Sequence, residues 1–173
     1  MSKAASSRFQ HTPRLAPPPV DAAIAEETIW AGDIFVSDKQ VRITTVLGSC
    51  VAVCLFDSLK CFGGMNHYLL PTPGTSGRHG EWSIRELYQR MLSLGSRPRN
   101  LQAKVFGGGS PLALANDITA VGAANARIAF DTLKSLRVAV TGESVGGSAG
   151  MRLYFENWSG LALVRQHQGK TLP

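Results

Sequence analysis

The chain is short of cysteine, of long apolar stretches and of like-charge runs, and each shortage excludes a class of protein. Its three cysteines, at 50, 54 and 61, are an odd number in a sequence that reads without a signal peptide. That argues against a disulfide framework and for reduced thiols. The longest apolar stretches, such as residues 51–56, fall far short of the roughly 20 residues that cross a bilayer. The expectation is a soluble, cytoplasmic protein with no direct membrane insertion. No five-residue Lys/Arg run, zinc-finger spacing or aromatic RNP-like segment is present, which leaves little for nucleic-acid binding. Neither GxxxxGK[ST] nor GxGxxG occurs, so Gly107, Gly108 and Gly109 read as a tight turn after a strand and no nucleotide is assigned. Acidic residues are also few: twelve against eighteen Lys and Arg give a net charge of +6, a bias toward acidic partner surfaces.

What is present fits one domain. The 173 residues at 44% hydrophobic content can bury one sizeable core. Residues 1–26 hold Lys3, Arg8, Arg14 and the run Pro17, Pro18, Pro19, and predict a flexible basic arm. The folded domain is expected over 27–168, followed by a short tail at 169–173. Strand patterns fall near 28–30, 34–36, 41–46, 51–56 and 65–70. Ser83 and Glu86 have capping-box spacing, and Ile84, Leu87, Tyr88, Met91 and Leu92 share one helical face up to Gly95. A strand at 102–106, a second helix at 119–135 and antiparallel strands at 137–143, 151–156 and 161–166 complete the pattern, with turns at 146–147 and 157–160. The predicted fold is α+β: mostly antiparallel sheet layers with two main helices packed on them.

The chemistry concentrates in Thr44-Thr45-Val46-Leu47-Gly48-Ser49-Cys50 and in Gly63-Gly64-Met65-Asn66-His67. If Ser58 and Leu59 form a two-residue hairpin loop, Asp57 pairs with Lys60, and the register carries on until Cys50 faces His67. An imidazole beside a thiol can take its proton and hold the thiolate as an ion pair, then return a proton to a leaving amine. Backbone N–H groups at Gly48, Ser49 and Cys50 are placed to receive a developing oxyanion. Cys54 and Cys61 lie in or beside apolar runs and read as packing residues. Three Cys and one His at this spacing do not make a metal site.

At these residues the sequence resembles the CheD family, whose pattern pairs a Thr six residues before the cysteine of LGSC with GGMxH and a following LP. Here these are Thr44, Leu47-Gly48-Ser49-Cys50, Gly63-Gly64-Met65-Asn66-His67 and Leu70-Pro71. Further likenesses are Ala103-Lys104-Val105-Phe106-Gly107-Gly108 to AK-x-FGG, Val121-Gly122-Ala123-Ala124-Asn125 to (I/V)GxxN, and Gly146-Gly147-Ser148-Ala149-Gly150 to GGxxG. Met151 stands where the family usually has Arg, with Arg152 next to it, and Gly109 where Ala is common.

The resemblance implies that Cys50 is the nucleophile, His67 the acid/base and Thr44, with Thr45 alongside, the residue that orients the imidazole. It implies deamidation of glutamine side chains on chemoreceptor cytoplasmic domains through a thioester, with no metal or cofactor, and a CheC-type phosphatase as a further partner. Glutamyl methyl ester hydrolysis by the same thiol chemistry and a non-catalytic docking module are the alternatives.

Overall fold

The apolar run at residues 51–56 lacks the alternation of a half-exposed strand, and its position explains why. In the computed structural model, which describes residues 23–110 and 116–167, this run is β4 (Val51–Asp57) inside a five-stranded sheet covered on both faces. Val51, Val53 and Leu55 face two helices, while Ala52 and Cys54 face a second sheet. A strand buried on both sides has no polar face to show.

The described residues form nine strands and two helices. The larger sheet also contains β2 (Ile34–Ser37), β5 (Phe62–Asn66), β6 (Leu101–Gly107) and β7 (Ala139–Val145), in the order β2-β5-β4-β6-β7. The smaller sheet has the order β1-β3-β8-β9, from β1 (Ala25–Thr28), β3 (Val41–Leu47), β8 (Met151–Glu156) and β9 (Ala162–Gln166). Helices α1 (Gly80–Ser93) and α2 (Asn116–Ser135) lie on the outer face of the larger sheet. The layers therefore run helices, sheet, sheet. One core, built on Leu55, Leu87, Met91, Val105 and Leu133, fills the first gap. The other, with Ile43, Leu47, Met65, Leu153 and Phe155, fills the second.

This is the expected α+β arrangement, with corrections at four places. The pairs β1–β3 and β6–β7 are parallel, because β2 and α2 respectively intervene before the chain returns. The glycines at 146 and 147 accordingly do not close a hairpin: they carry the chain from β7 in one sheet to β8 in the other. Helix α1 begins one turn before Ser83, with His79 as its N-cap. Ser83 is then an interior residue whose hydroxyl accepts a 2.9 Å hydrogen bond from the Asn66 amide.

The hairpin register also differs. Asp57 pairs with Phe62, not Lys60, because the β4–β5 turn holds four residues. Asp57 Oδ1 accepts from the N–H groups of Leu59 and Lys60, and Cys61 takes a left-handed φ of 55° to close it. Apart from residues 23–26 the expected basic arm lies outside the described residues, as does the tail at 169–173.

Candidate active site

Cys50 occupies a crossing point. β3 ends at Leu47 in the smaller sheet, β4 begins at Val51 in the larger, and residues 48–50 bridge the two. Three successive carbonyls of this bridge are tied down. Gly48 O accepts from Gly109 N at 2.8 Å, Ser49 O from Asn125 Nδ2 at 3.0 Å, and Cys50 O from Gly108 N at 2.8 Å. The glycine triplet is thus a turn that braces the loop carrying Cys50. Gly107 has a φ of 103°, and a Cβ there would run into the Cys50 carbonyl. Only glycine meets both demands.

His67 reaches the same region by leaving its ladder. At Asn66 the side chain replaces the main chain, its Oδ1 accepting from Val53 N–H at 2.8 Å. His67 then bonds backbone to backbone with the opposite neighbour, accepting from Gly32 N and donating to Asp33 O. The chain rejoins β4 at one bridge, Val51 with Tyr68. Counting from that bridge puts Leu69, not His67, opposite Cys50. The expected register is therefore off by two residues, a slip that preserves the face on which a side chain lies. Cys50 packs at the margin of the core between the sheets, and His67 is held from within that layer by Thr45.

Thr45 is the hydroxyl on the imidazole: its Oγ1 lies 2.8 Å from His67 Nδ1. The contact expected of Thr44 is not found. Successive residues of β3 face opposite sides, and Thr44 Oγ1 donates to the Leu153 carbonyl at 3.0 Å instead. The Thr45 contact also fixes the tautomer. Thr45 has one hydroxyl proton and gives it to the Ile29 carbonyl at 2.8 Å, so toward Nδ1 it can only accept. Nδ1 carries the ring proton and Nε2 keeps its lone pair. Nε2 is buried and has no hydrogen-bond partner among the described residues.

Burial sets the protonation of both groups. His67 is 5% exposed, and desolvation pushes its pKa down to about 4, against the opposing charge of Asp33. Desolvation likewise pushes the Cys50 thiol up, partly offset by its own backbone N–H. The resting pair is therefore neutral thiol and neutral imidazole rather than the expected ion pair. Cys54 is fully buried and Cys61 exposed, while Cys50 is half-buried and lies diagonally from His67 across the Val51–Tyr68 bridge. Met151 lies in the core between the sheets, while Arg152 projects from the opposite face of β8, so the arginine does not take over the methionine's position.

Asn125 has a place here that the sequence reading did not give it. It is fully buried, and it sits on the face of α2 that carries Ala129 and Leu133 at helical spacing. A polar residue in such a stripe was the available signal. Among the described residues no cluster of three or more His, Cys, Asp or Glu side chains could hold a metal ion. No helix among them is long and apolar enough to cross a membrane.

Comparison with known proteins adds a family. The model described as CheD chemotactic sensory transduction matches residues 69–166. Three similar proteins extend the likeness over most of the chain. A probable chemoreceptor glutamine deamidase CheD 1 of Dechloromonas aromatica is 38% identical over 145 residues, 80% of this chain and 71% of that one. A protein of the same name from Anaeromyxobacter dehalogenans is 39% identical over 145 residues, covering 82% and 85%. A probable chemoreceptor glutamine deamidase CheD of Agrobacterium fabrum is 42% identical over 137 residues, covering 76% and 73%.

Proposed function

The chain belongs to the CheD family, and from that premise we propose that it converts glutamine side chains of chemoreceptor cytoplasmic domains to glutamate, with Cys50 as nucleophile and His67 as acid and base. The observation that carries this reading is the Thr45 contact, which leaves a buried Nε2 lone pair on His67, a residue diagonal to the half-buried Cys50 across the Val51–Tyr68 bridge.

The reaction begins from the neutral pair. As Cys50 Sγ adds to the carboxamide carbon, His67 Nε2 takes the thiol proton, so charge develops only in the transition state. Backbone N–H groups of the 48–50 bridge, whose path is fixed by hydrogen bonds to all three of its carbonyls, receive the oxyanion. The imidazolium returns its proton to the departing nitrogen and ammonia leaves. Water, activated by the neutral imidazole, then hydrolyses the thioester to glutamate and restores the thiol. No metal or cofactor enters these steps. Each turnover adds one negative charge to the receptor and creates a methylatable carboxylate. The net charge of +6 favours encounter with an acidic receptor surface. The protein acts in the cytoplasm, where a CheC-type phosphatase is its second partner.

The test is intact-mass analysis of a receptor cytoplasmic fragment incubated with wild type and with Cys50→Ala. Each glutamine converted gains about 1 Da and releases one ammonia through the acyl-enzyme. Full activity in Cys50→Ala would overturn the assignment.

A further inference from the structure

The buried carboxamide of Asn125 joins the two chain segments that carry the proposed nucleophile and base. One Nδ2 hydrogen goes to Ser49 O and the other to Leu69 O, each at 3.0 Å. Ser49 immediately precedes Cys50, and Leu69 is two residues beyond His67. Between these carbonyls lies the last ladder rung, in which Val51 and Tyr68 exchange both backbone bonds at 3.0 Å. Beyond the rung the two segments present carbonyls and no mutual donor, so one NH₂ group inserted between them sets how far they splay. The helix is fixed in turn. Tyr68 Oη donates to the Asn125 carbonyl at 2.6 Å, and Gly122, one turn earlier, lets α2 approach so closely that a Cβ would sit 2.6 Å from Gly108 O.

We infer that Asn125 is a positioning residue for the deamidation reaction: its amide sets the separation of the Cys50 loop and the His67 segment, and so the reach of Nε2 to the thiol. The inference rests on the proposed Cys50–His67 chemistry. It touches no substrate atom, because the side chain is fully buried. An error of about 1 Å in a reacting geometry costs on the order of 10²-fold in rate.

The experiment compares wild type with Asn125→Leu and Asn125→Asp, both close in size. The Leu variant lacks the donors, and the Asp variant turns an acceptor oxygen toward two carbonyls. Receptor deamidation gives kcat and KM, iodoacetamide labelling of Cys50 from pH 5 to 10 gives the thiol's profile, and circular dichroism gives the folded fraction. The expected result is kcat reduced about 30-fold or more at nearly constant KM, with Cys50 labelling at neutral pH slowed toward that of an unassisted thiol. If Asn125→Leu does not fold, Asn125→Asp decides. A folded variant whose kcat and labelling profile match wild type overturns the inference, as does a loss that appears only in KM. Wild type incubated with the receptor separates the two readings: without a mass shift on the receptor the deamidase assignment fails, while the labelling profiles still judge Asn125.

Discussion

Replacing Thr45 by valine removes a hydroxyl at almost constant volume, and the consequences differ from those of the same change one residue earlier. Thr45 Oγ1 engages two buried partners, the Ile29 carbonyl and His67 Nδ1, both at 2.8 Å. The valine leaves both unsatisfied, at about 1–3 kcal/mol per orphaned group, so the domain should lose about 3 kcal/mol of stability. The larger effect is on the base. With no acceptor at Nδ1 the imidazole is free to move its proton to Nε2, which removes the lone pair that takes the thiol proton. Orientation through one buried hydrogen bond of about 1.5–3 kcal/mol corresponds to roughly 10- to 100-fold in kcat. Thr44→Val breaks only the bond to the Leu153 carbonyl, costing about 1 kcal/mol and leaving kcat within about twofold. The assay is receptor deamidation by mass spectrometry under saturating substrate, with thermal melts of each variant and Thr45→Ser as the hydroxyl-restoring control. The reasoning fails if Thr44→Val loses more turnover than Thr45→Val, or if Thr45→Ser is as slow as the valine.

Three further outcomes follow from the same geometry. Because His67 is held neutral, with a folded pKa of about 4 against 6.5 when unfolded, the unfolded chain binds the extra proton between those values. The His67 contribution to stability is constant above pH 6.5 and falls as the pH drops toward 4, by up to about 3 kcal/mol, and chemical denaturation of wild type beside His67→Gln, which lacks that fall, checks it. Activity should likewise keep its acid limb near pH 4 to 5 rather than 6.5. Gly107→Ala forces a side chain into a left-handed φ of 103° and against the Cys50 carbonyl. A cost of at least about 2 kcal/mol in a denaturant melt is expected, and a substitution tolerated without loss would show that the loop does not depend on that close approach.

Much of the architecture was legible because it follows from local pattern. The apolar run at 51–56 marked a strand, and Ile84, Leu87, Tyr88 and Met91 marked the buried stripe of α1. The candidate site residues were chosen by chemistry and likeness, while their relations were set by features that spacing does not encode. A four-residue turn, closed by a left-handed Cys61 and a carboxylate on two N–H groups, displaced the hairpin register by two. Thr44 and Thr45 are equivalent as letters, and only the side of β3 that meets the other sheet separates them. Asn125 lies 75 positions after Cys50, and nothing local to it reveals that its amide ends up between Ser49 and Leu69. Long-range polar contacts of this kind exist only once the layers have packed.

The neutral state of the pair bears on how such a site is controlled. A preformed thiolate would react with any electrophile or oxidant that reached it, whereas burial here holds Cys50 above and His67 below the usual thiol and imidazole ranges. The proton moves most readily when the resulting charges are met at once by the incoming carbonyl and the N–H groups of the 48–50 bridge. Substrate docking therefore supplies part of the activation, and an alkylating agent attacked at a saturated carbon gains proton removal by the imidazole but not the share of the N–H groups. The ratio of receptor deamidation to iodoacetamide labelling should accordingly exceed that of a cysteine hydrolase with a preformed ion pair. The fold contributes by placing Cys50 at a crossing between two sheets, where it packs at the margin of the core between them and stays half-buried.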